Sequence, residues 1–190
     1  YDKKVILNDF SFKLEKGEIV SLLGPSGCGK TTLLKLASGI EKLQKGEIKL
    51  NDEIVSSSNF HLNSDKRQIG YVFQDFALFP HLTVMENIFF GISKNNIEKI
   101  SQKIQKLMDE IDISNLANNY PHELSGGQQQ QVALIRAMSS NPKIIFLDEP
   151  YSNLDSRLKE KIRDQMLHIL REHKISVLLV THDPEEAMFM

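Results

Sequence analysis

The chain has 190 residues, of which 41% are hydrophobic and 25% are charged, and these values are typical of a single globular domain with a substantial core. Its 23 Lys and Arg residues nearly balance its 25 Asp and Glu residues, and a formal net charge of -2 argues against nucleic acid as a partner. The single cysteine, Cys28, excludes an internal disulfide, and no apolar run reaches the roughly 18 to 20 residues that a membrane-spanning helix needs. We therefore expect a reducing compartment and, for any membrane role, a partner that provides the membrane spans.

Short apolar runs rich in β-branched residues alternate with amphipathic helical patterns along the chain. The runs predicted as buried strands are residues 19–23, 69–73, 144–147 and 177–181. Apolar residues at helical spacing predict helices over about 97–111 and 158–170. This alternation predicts an α/β fold in which helices cover both faces of a mostly parallel sheet.

The beginning and the middle of the chain have different patterns. Residues 5–7, 10–14 and 47–50, with glycine turns between them, predict an N-terminal antiparallel β subdomain, and residues 56–59 predict a polar loop. From about 76 to 138 there is no strand pattern, which predicts a helical subdomain inserted into the domain.

Both ends of the sequence suggest a longer protein. The chain begins at Tyr1 rather than Met, and Asp183-Pro184 followed by two glutamates predicts a helix that begins shortly before Met190. We expect residues 1–190 to form one domain that is truncated at both ends.

A glycine-rich loop lies between the first predicted strand and a predicted helix. It matches the pattern G-x-x-x-x-G-K-[ST], and the residues that we expect to bind ATP here are Gly24, Pro25, Ser26, Gly27, Cys28, Gly29, Lys30, Thr31 and Thr32. Backbone N–H groups and the helix N-terminus bind phosphate oxygens in such loops. Lys30 is expected to reach the β- and γ-phosphates, and the Thr31 hydroxyl to bind Mg²⁺. We expect Cys28 to be a passive small residue, with a redox-sensor role as the alternative.

Two acidic residues, Asp148 and Glu149, follow the predicted strand 144–147. Parallel sheets bind ligands at the carboxyl ends of their strands, which is also where the glycine-rich loop lies. Because side chains alternate along a strand, the two carboxylates are expected to point to different places. We predict that Asp148 lies on the Mg²⁺ side and that Glu149 is the general base that polarises the attacking water. Without the glycine-rich loop, a helix cap or a solvated turn would be the ordinary interpretation.

The run Leu124-Ser125-Gly126-Gly127-Gln128 resembles the signature motif of the ABC ATPases, and the resemblance extends over essentially the whole chain. It implies that Gln74 is the Q-loop glutamine, which contacts Mg²⁺ and responds to a membrane permease. It also implies that His182 is the switch histidine and that Asp155 belongs to the D-loop. Tyr1 lies where the family places an aromatic residue that stacks on adenine.

The resemblance further implies that two such domains pack head to tail. Ser125, Gly126, Gly127 and Gln128 would then contact the ATP that the other domain holds. Ser125 is a good N-cap for the helix that follows, and without the other motifs a capped helix after a turn would explain this run. The chain departs from the family at Gln131, where relatives usually carry a basic residue, and this puts a local salt bridge in doubt.

Residues 76–84 and 121–123 resemble the ATPases of importers for iron(III), polyamines, sugars or sulfate, and residues 128–130 and 183–188 favour iron(III). The resemblance implies that the protein pairs as a homodimer or with a second ABC domain. It also implies that residues 79–84 contact an integral membrane permease, although Phe76, Leu78 and Phe79 could instead be core residues. We further expect a periplasmic or extracellular solute-binding protein to act indirectly, no nucleic acid to be involved, and the protein to lie peripherally on the cytoplasmic face of the inner membrane.

Three other classes fit less well. Chromosome-maintenance and repair ATPases share the signature motif, but a long coiled coil separates their two halves, whereas only a short segment lies between Gln74 and Ser125. A fragment of a soluble ribosome-associated ABC factor remains an alternative, and residues 79–83 favour the importer. A P-loop kinase would leave residues 124–128 unexplained.

Overall fold

The structure is a computed structural model that describes residues 5–152, 154 and 156–189. Its strands are β1 (Ile19–Leu23), β2 (Glu47–Leu50), β3 (Glu53–Ser57), β4 (Ile69–Val72), β5 (Ile144–Asp148) and β6 (Ser176–Thr181). Its α-helices are α1 (Lys30–Ser38), α2 (Val84–Phe89), α3 (Lys94–Glu110), α4 (Gly126–Ser139), α5 (Ser156–Glu172) and α6 (Pro184–Phe189). Over the described ranges, no helix is long and apolar enough to cross a membrane.

The central sheet confirms the predicted parallel core. Its four strands lie in the order β1-β6-β5-β4, and each neighbouring pair is parallel. These are the four strands expected from the apolar runs, with ends that differ by at most one residue. The prediction succeeds because these strands are short runs of mostly apolar residues bounded by polar or glycine-rich segments, a pattern that is visible in the sequence.

Helices cover both faces of this sheet. Helix α1 packs on one face, where its Leu34 meets Phe146 of β5 and Val180 of β6. Helices α3, α4 and α5 form the larger core on the other face, with Ile145 and Leu147 of β5. Since side chains alternate along a strand, Asp148 at the end of β5 shares the α1 face with Phe146.

The antiparallel layer is present but uses different segments from those predicted. Strand β2 pairs with β3, which the sequence analysis missed, and residues 56 and 57 of the expected loop belong to β3. The Ser56 hydroxyl is fully buried and accepts a hydrogen bond from Arg67, so this polar residue is satisfied inside the fold. The predicted strands 5–7 and 10–14 do not form. Ile6 and Leu7 lie against the glycine-rich loop instead of along a strand edge.

Residues 76–138 contain α2, α3 and α4 and no strand, as the sequence pattern indicated. Their status as an inserted subdomain of a single domain stays a prediction. The predicted helices 97–111 and 158–170 correspond to α3 and α5, and the predicted C-terminal helix is α6. Asp183 caps α6 as expected, because its Oδ1 accepts a hydrogen bond from Glu185 N at 2.9 Å.

A buried arginine, Arg67, joins α1 to the antiparallel layer. Its guanidinium donates to the carbonyl oxygens of Leu36 and Ala37 in the last turn of α1 and to the Val55 carbonyl of β3. Burial lowers the pKa of Arg67. Gly39, which ends α1 with φ 80°, leaves room for this side chain, since a Cβ there would lie 2.5 Å from Arg67 Nε. These contacts hold the C-terminal end of the helix whose other end forms the glycine-rich loop.

The loop between Phe79 and Thr83 is held from inside by Asn87. The Asn87 side chain is fully buried; its Oδ1 accepts from Phe79 N at 2.8 Å, and its Nδ2 donates to the carbonyls of Phe79, Leu82 and Thr83 at 3.0–3.1 Å. One amide therefore contacts four backbone groups of a loop that has no regular secondary structure, with its two N–H bonds shared among three carbonyls.

Replacing Asn87 by alanine is expected to lower the free energy of unfolding by about 2–3 kcal/mol, because it removes the side-chain partner of Phe79 N and of the Leu82 carbonyl. Chemical denaturation monitored by circular dichroism measures the change. The exposed Asn59→Ala is the control and should change stability by no more than about 0.5 kcal/mol. Equal stability of the two variants would show that Asn87 does not hold this loop.

Candidate active site

An open cleft of about 600 Å³ lies beside the glycine-rich loop, at the carboxyl ends of the parallel strands. Its lining brings together residues that were predicted from three separate motifs, together with two that were not. The lining residues are Val5, Ile6, Ser26, Gly27, Cys28, Gly29, Lys30, Thr31, Thr32, Gln74 and Glu149. The sequence signal at Val5 and Ile6 is the apolar run 5–7, which predicts a strand and not a place in the cleft lining.

The glycine-rich loop depends on backbone conformations that glycine tolerates. Gly29 has φ 104°, and a Cβ there would lie 2.9 Å from Ile6 Cγ2. Both the left-handed conformation and the close approach of the N-terminal segment therefore require glycine at this position. Cys28 is exposed on this loop, and its passive role stays a prediction.

The Lys30 ammonium lies inside the loop. It donates to the carbonyl oxygens of Gly24 at 2.7 Å and Pro25 at 3.0 Å, and it lies 3.8 Å from Glu149 Oε1. Only 8% of its side chain is exposed. The loop thus holds a partly desolvated cation at the cleft, where an anionic group of a ligand can replace the carbonyl acceptors.

Asp148 receives two hydrogen bonds, one on each carboxylate oxygen. Thr31 Oγ1 donates to Oδ1 at 2.9 Å, and the Tyr71 hydroxyl donates to Oδ2 at 3.0 Å. Burial raises the pKa of Asp148, although both hydrogen bonds act in the opposite direction. Burial also raises the pKa of Tyr71. A threonine hydroxyl beside a carboxylate is a set of hard oxygen donors that fits Mg²⁺ bound together with phosphates.

Glu149 turns away from Asp148. Its φ of 46° takes the chain out of β5, and its N–H donates to the Val180 carbonyl at 2.9 Å. The two carboxylates consequently have different partners, because Glu149 Oε2 lies 2.9 Å from His182 Nδ1 while Oε1 faces Lys30. The His182 side chain is 48% exposed at the edge of the cleft.

A charged cluster that the sequence analysis missed holds Thr181 and Asp183, the two neighbours of His182. Lys159 Nζ of α5 lies 2.5 Å from Asp183 Oδ2 and 2.7 Å from Glu186 Oε1. The buried Glu186 accepts a hydrogen bond from the Thr181 hydroxyl. Lys159 shows only as one charge on an amphipathic helix, and Glu186 only as an acid in a first helical turn, so neither contact can be seen in the sequence.

Gln74 stands on the wall of the cleft, and its Nε2 donates to Ser152 Oγ at 3.5 Å. Ser152 Oγ in turn donates to the Glu149 carbonyl at 2.9 Å. The Q-loop position is thereby linked to the chain just after the predicted general base. Contact of Gln74 with Mg²⁺ stays a prediction. Two further predicted positions, Tyr1 and Asp155, lie outside the described residues.

The signature run caps helix α4. Ser125 Oγ accepts from Gln128 N at 3.3 Å, and Gln128 Oε1 accepts from Ser125 N at 2.9 Å. Gly127 is buried, and a Cβ there would lie 3.0 Å from Leu158 Cδ2 of α5. The second glycine therefore also serves the packing of α4 on α5. Ser125 itself is exposed, and among the described residues the run does not line the cleft beside Lys30.

Gln131, where the family usually has a basic residue, makes neutral contacts. It is buried, and its Nε2 donates to the Ile111 carbonyl at 3.1 Å and to Gln165 Oε1 at 3.0 Å. The position joins α4 to α5 and to the end of α3 without a charge. With glutamine in place of the basic residue, these helices are still joined here by two hydrogen bonds.

Comparison with known proteins settles the family. Residues 7–152 match the ABC transporter family. The chain belongs to this family. This ABC chain is 46% identical over 192 residues to the Fe(3+) ions import ATP-binding protein FbpC 2 of Haemophilus influenzae. It is 40% identical to the spermidine/putrescine import ATP-binding protein PotA of Hahella chejuensis and to the sulfate/thiosulfate import ATP-binding protein CysA of Escherichia coli. These alignments cover 98–100% of this chain but only 52–53% of the relatives, so the chain spans about half the length of the curated relatives it matches.

Solved structures agree with this assignment. A dimeric structure of the ATP-binding cassette MJ0796 in a post-hydrolysis state, bound to ADP and Pi, is 34% identical with a TM-score of 0.78, over 97% of this chain and 83% of that one. A second dimeric structure of MJ0796, a bacterial ABC transporter cassette, is 32% identical with a TM-score of 0.81, over 100% of this chain and 86% of that one. The α/β cassette fold and the ABC family, both expected from the motifs, are confirmed.

Proposed function

We propose that this ABC chain binds and hydrolyses ATP and thereby powers an importer. The observation that carries the proposal is a pair of contacts at the cleft, in which Glu149 lies 3.8 Å from Lys30 Nζ through Oε1 and 2.9 Å from His182 Nδ1 through Oε2. A cation for phosphate, a carboxylate base and a histidine that orients the base are the groups that phosphoryl transfer to water needs.

The residues of the cleft divide the work. The loop N–H groups and Lys30 bind the β- and γ-phosphates, where Lys30 exchanges the Gly24 and Pro25 carbonyls for phosphate oxygens. Thr31 and Asp148, with Gln74 nearby, would hold Mg²⁺, which neutralises charge that develops on the phosphates. Glu149 accepts a proton from the attacking water, and His182 orients its carboxylate through Oε2.

Two chains complete the site. Ser125 caps a helix N-terminus that is exposed and away from its own cleft, so this terminus is free to meet the phosphates bound by a second chain. The dimeric state of the MJ0796 cassettes supports such a pair. The partner is a second copy or another ABC domain. Tyr1 is proposed to stack on adenine and Asp155 of the D-loop to take part in nucleotide binding.

An integral membrane permease docks on the loop that Asn87 holds. The Phe79 and Phe90 rings lie 4.1 Å apart, and Phe90 is 55% exposed, which provides an apolar contact surface. Phe76 is buried and belongs to the core, so the core interpretation holds for that residue. The chain would then sit peripherally on the cytoplasmic face of the inner membrane, and a solute-binding protein would act through the permease.

Iron(III) is the proposed cargo. The FbpC relatives support it with higher identity than the polyamine and sulfate importers do. Polyamines, sulfate and sugars are the alternative cargoes, because the proposed ATPase does not itself touch the solute.

The test is uptake into membrane vesicles that contain the full-length protein with the permease and the binding protein encoded beside it. Radiolabelled ferric iron should accumulate only with Mg-ATP, and Lys30→Ala should reduce accumulation to background. Accumulation of spermidine or sulfate in place of iron would contradict the cargo, and ATP hydrolysis with no accumulation of any of these solutes would contradict the importer.

A further inference from the structure

Tyr71 makes a contact that none of the sequence motifs contains. Its hydroxyl donates to Asp148 Oδ2, while Thr31 donates to Oδ1 of the same carboxylate. Asp148 is 4% exposed, so water cannot easily take the place of either donor. Rotation of this carboxylate would break both hydrogen bonds at once.

Strand pairing places Tyr71 at this position. Tyr71 lies opposite Phe146 in the β4–β5 register, and Asp148 follows Phe146 by two residues on the same face. The Tyr71 ring stacks on Phe73 at 4.2 Å and meets the edge of Phe146 at 6.3 Å. The contacts with these two rings fix the position of the Tyr71 hydroxyl beside the end of β5. Because a phenol carries its proton at neutral pH, this hydroxyl is a hydrogen-bond donor.

We propose that Tyr71 is a positioning residue that orients the Asp148 carboxylate for the Mg²⁺ that accompanies the nucleotide. The inference rests on the proposed function. Groups that hydrogen-bond a metal-binding carboxylate fix its orientation, and their loss commonly weakens metal binding by about 10- to 100-fold. With Oδ2 tied to Tyr71, Oδ1 is the oxygen that stays beside the Thr31 hydroxyl, which is the other proposed ligand.

A purely structural role makes a different prediction. If only the ring matters, then Tyr71→Phe keeps the stacking on Phe73 and Phe146 and changes nothing in the cleft. If the hydroxyl orients Asp148, then the same variant should affect the Mg²⁺-dependent part of nucleotide binding and leave the Mg²⁺-independent part intact.

The experiment measures binding of a fluorescent, slowly hydrolysed ATP analogue to the purified protein, first in EDTA and then along a Mg²⁺ titration. For Tyr71→Phe, affinity in EDTA should equal that of the unmodified protein, while the Mg²⁺ concentration for the half-maximal effect should rise about 10-fold or more. Tyr120→Phe, which removes a hydroxyl from an exposed ring outside the cleft, is the matched control and should match the unmodified protein in both measurements.

Four results would overturn the inference. An unchanged Mg²⁺ titration would show that the hydroxyl does not act on Asp148. An equal loss of affinity with and without Mg²⁺, or failure of the variant to fold, would show that Tyr71 is structural. If the unmodified protein binds the analogue equally in EDTA and in Mg²⁺, then the proposed Mg²⁺ site itself fails, and this result is distinct from a failure confined to Tyr71.

Discussion

Replacing Lys30 by alanine is expected to abolish ATP hydrolysis and to weaken ATP binding by about 10- to 150-fold, which corresponds to the loss of about 1.5–3 kcal/mol for hydrogen bonds to a charged group. Lys30 is the cation that the loop holds at the cleft, with its ammonium on the Gly24 and Pro25 carbonyls. Alanine keeps the helix but leaves the β- and γ-phosphates without this contact.

Isothermal titration with ATP measures the affinity, and phosphate release at saturating Mg-ATP measures turnover. Lys45→Ala is the control, because Lys45 is exposed and outside the cleft and should leave both quantities unchanged. Turnover of Lys30→Ala at the rate of the unmodified protein would contradict the assignment of the glycine-rich loop.

Replacing Glu149 by glutamine is expected to reduce kcat about 10²- to 10⁴-fold while ATP still binds. Glutamine keeps the size of the side chain and its reach towards His182 but cannot accept the proton of the attacking water. In the proposed pair, the γ-phosphate should then stay intact between Lys30 of one chain and Ser125 of the other. Because ATP would contact both chains, it should shift the equilibrium from monomer to dimer.

Size-exclusion chromatography with light scattering tests this expectation. Glu149→Gln should elute as a dimer with ATP and as a monomer with ADP or without nucleotide. Adding Ser125→Arg should restore the monomer with ATP, since a bulky side chain fills the place of the phosphate. Glu172→Gln, on the exposed face of α5, is the control for loss of a carboxylate and should dimerise no more than the unmodified protein. Tight ATP binding by a Glu149→Gln variant that stays monomeric would contradict the head-to-tail pair.

Most of the parallel core could be predicted from local pattern. The strand that ends at Asp148 is apolar over residues 144–147 and almost wholly buried, and this property is visible in one sequence. The strand that ends at Leu23 is recognised from its apolar residues although it is only partly buried and contains Ser21. The antiparallel layer was predicted less well. Its strand β3 includes Ser56, a polar residue whose burial depends on Arg67 reaching it from 11 positions away.

The site residues likewise divide into those that local spacing identifies and those that only the folded structure brings to the site. Lys30, Asp148 and Glu149 were found from the sequence because spacing within a loop or at a strand end identifies them. Tyr71 and Lys159 were missed, because each reaches its partner through strand register or helix packing. For Gly127 the sequence indicated a close approach of phosphate, and the structure adds the contact with Leu158 of α5.

By itself the sequence determined the family, the parallel core and the residues that we propose for the ATP chemistry, because all of these follow from short-range spacing of residue types. Only the tertiary structure decided how the site is held. Strand pairing sets Tyr71 on Asp148, Lys159 of α5 holds Asp183 and Glu186 beside His182, and the positive φ of Glu149 turns its carboxylate away from that of Asp148. The first two arrangements join residues that lie 24 to 77 positions apart. Their energy comes from packing and hydrogen bonds that exist only after the chain has folded, so no local pattern records them.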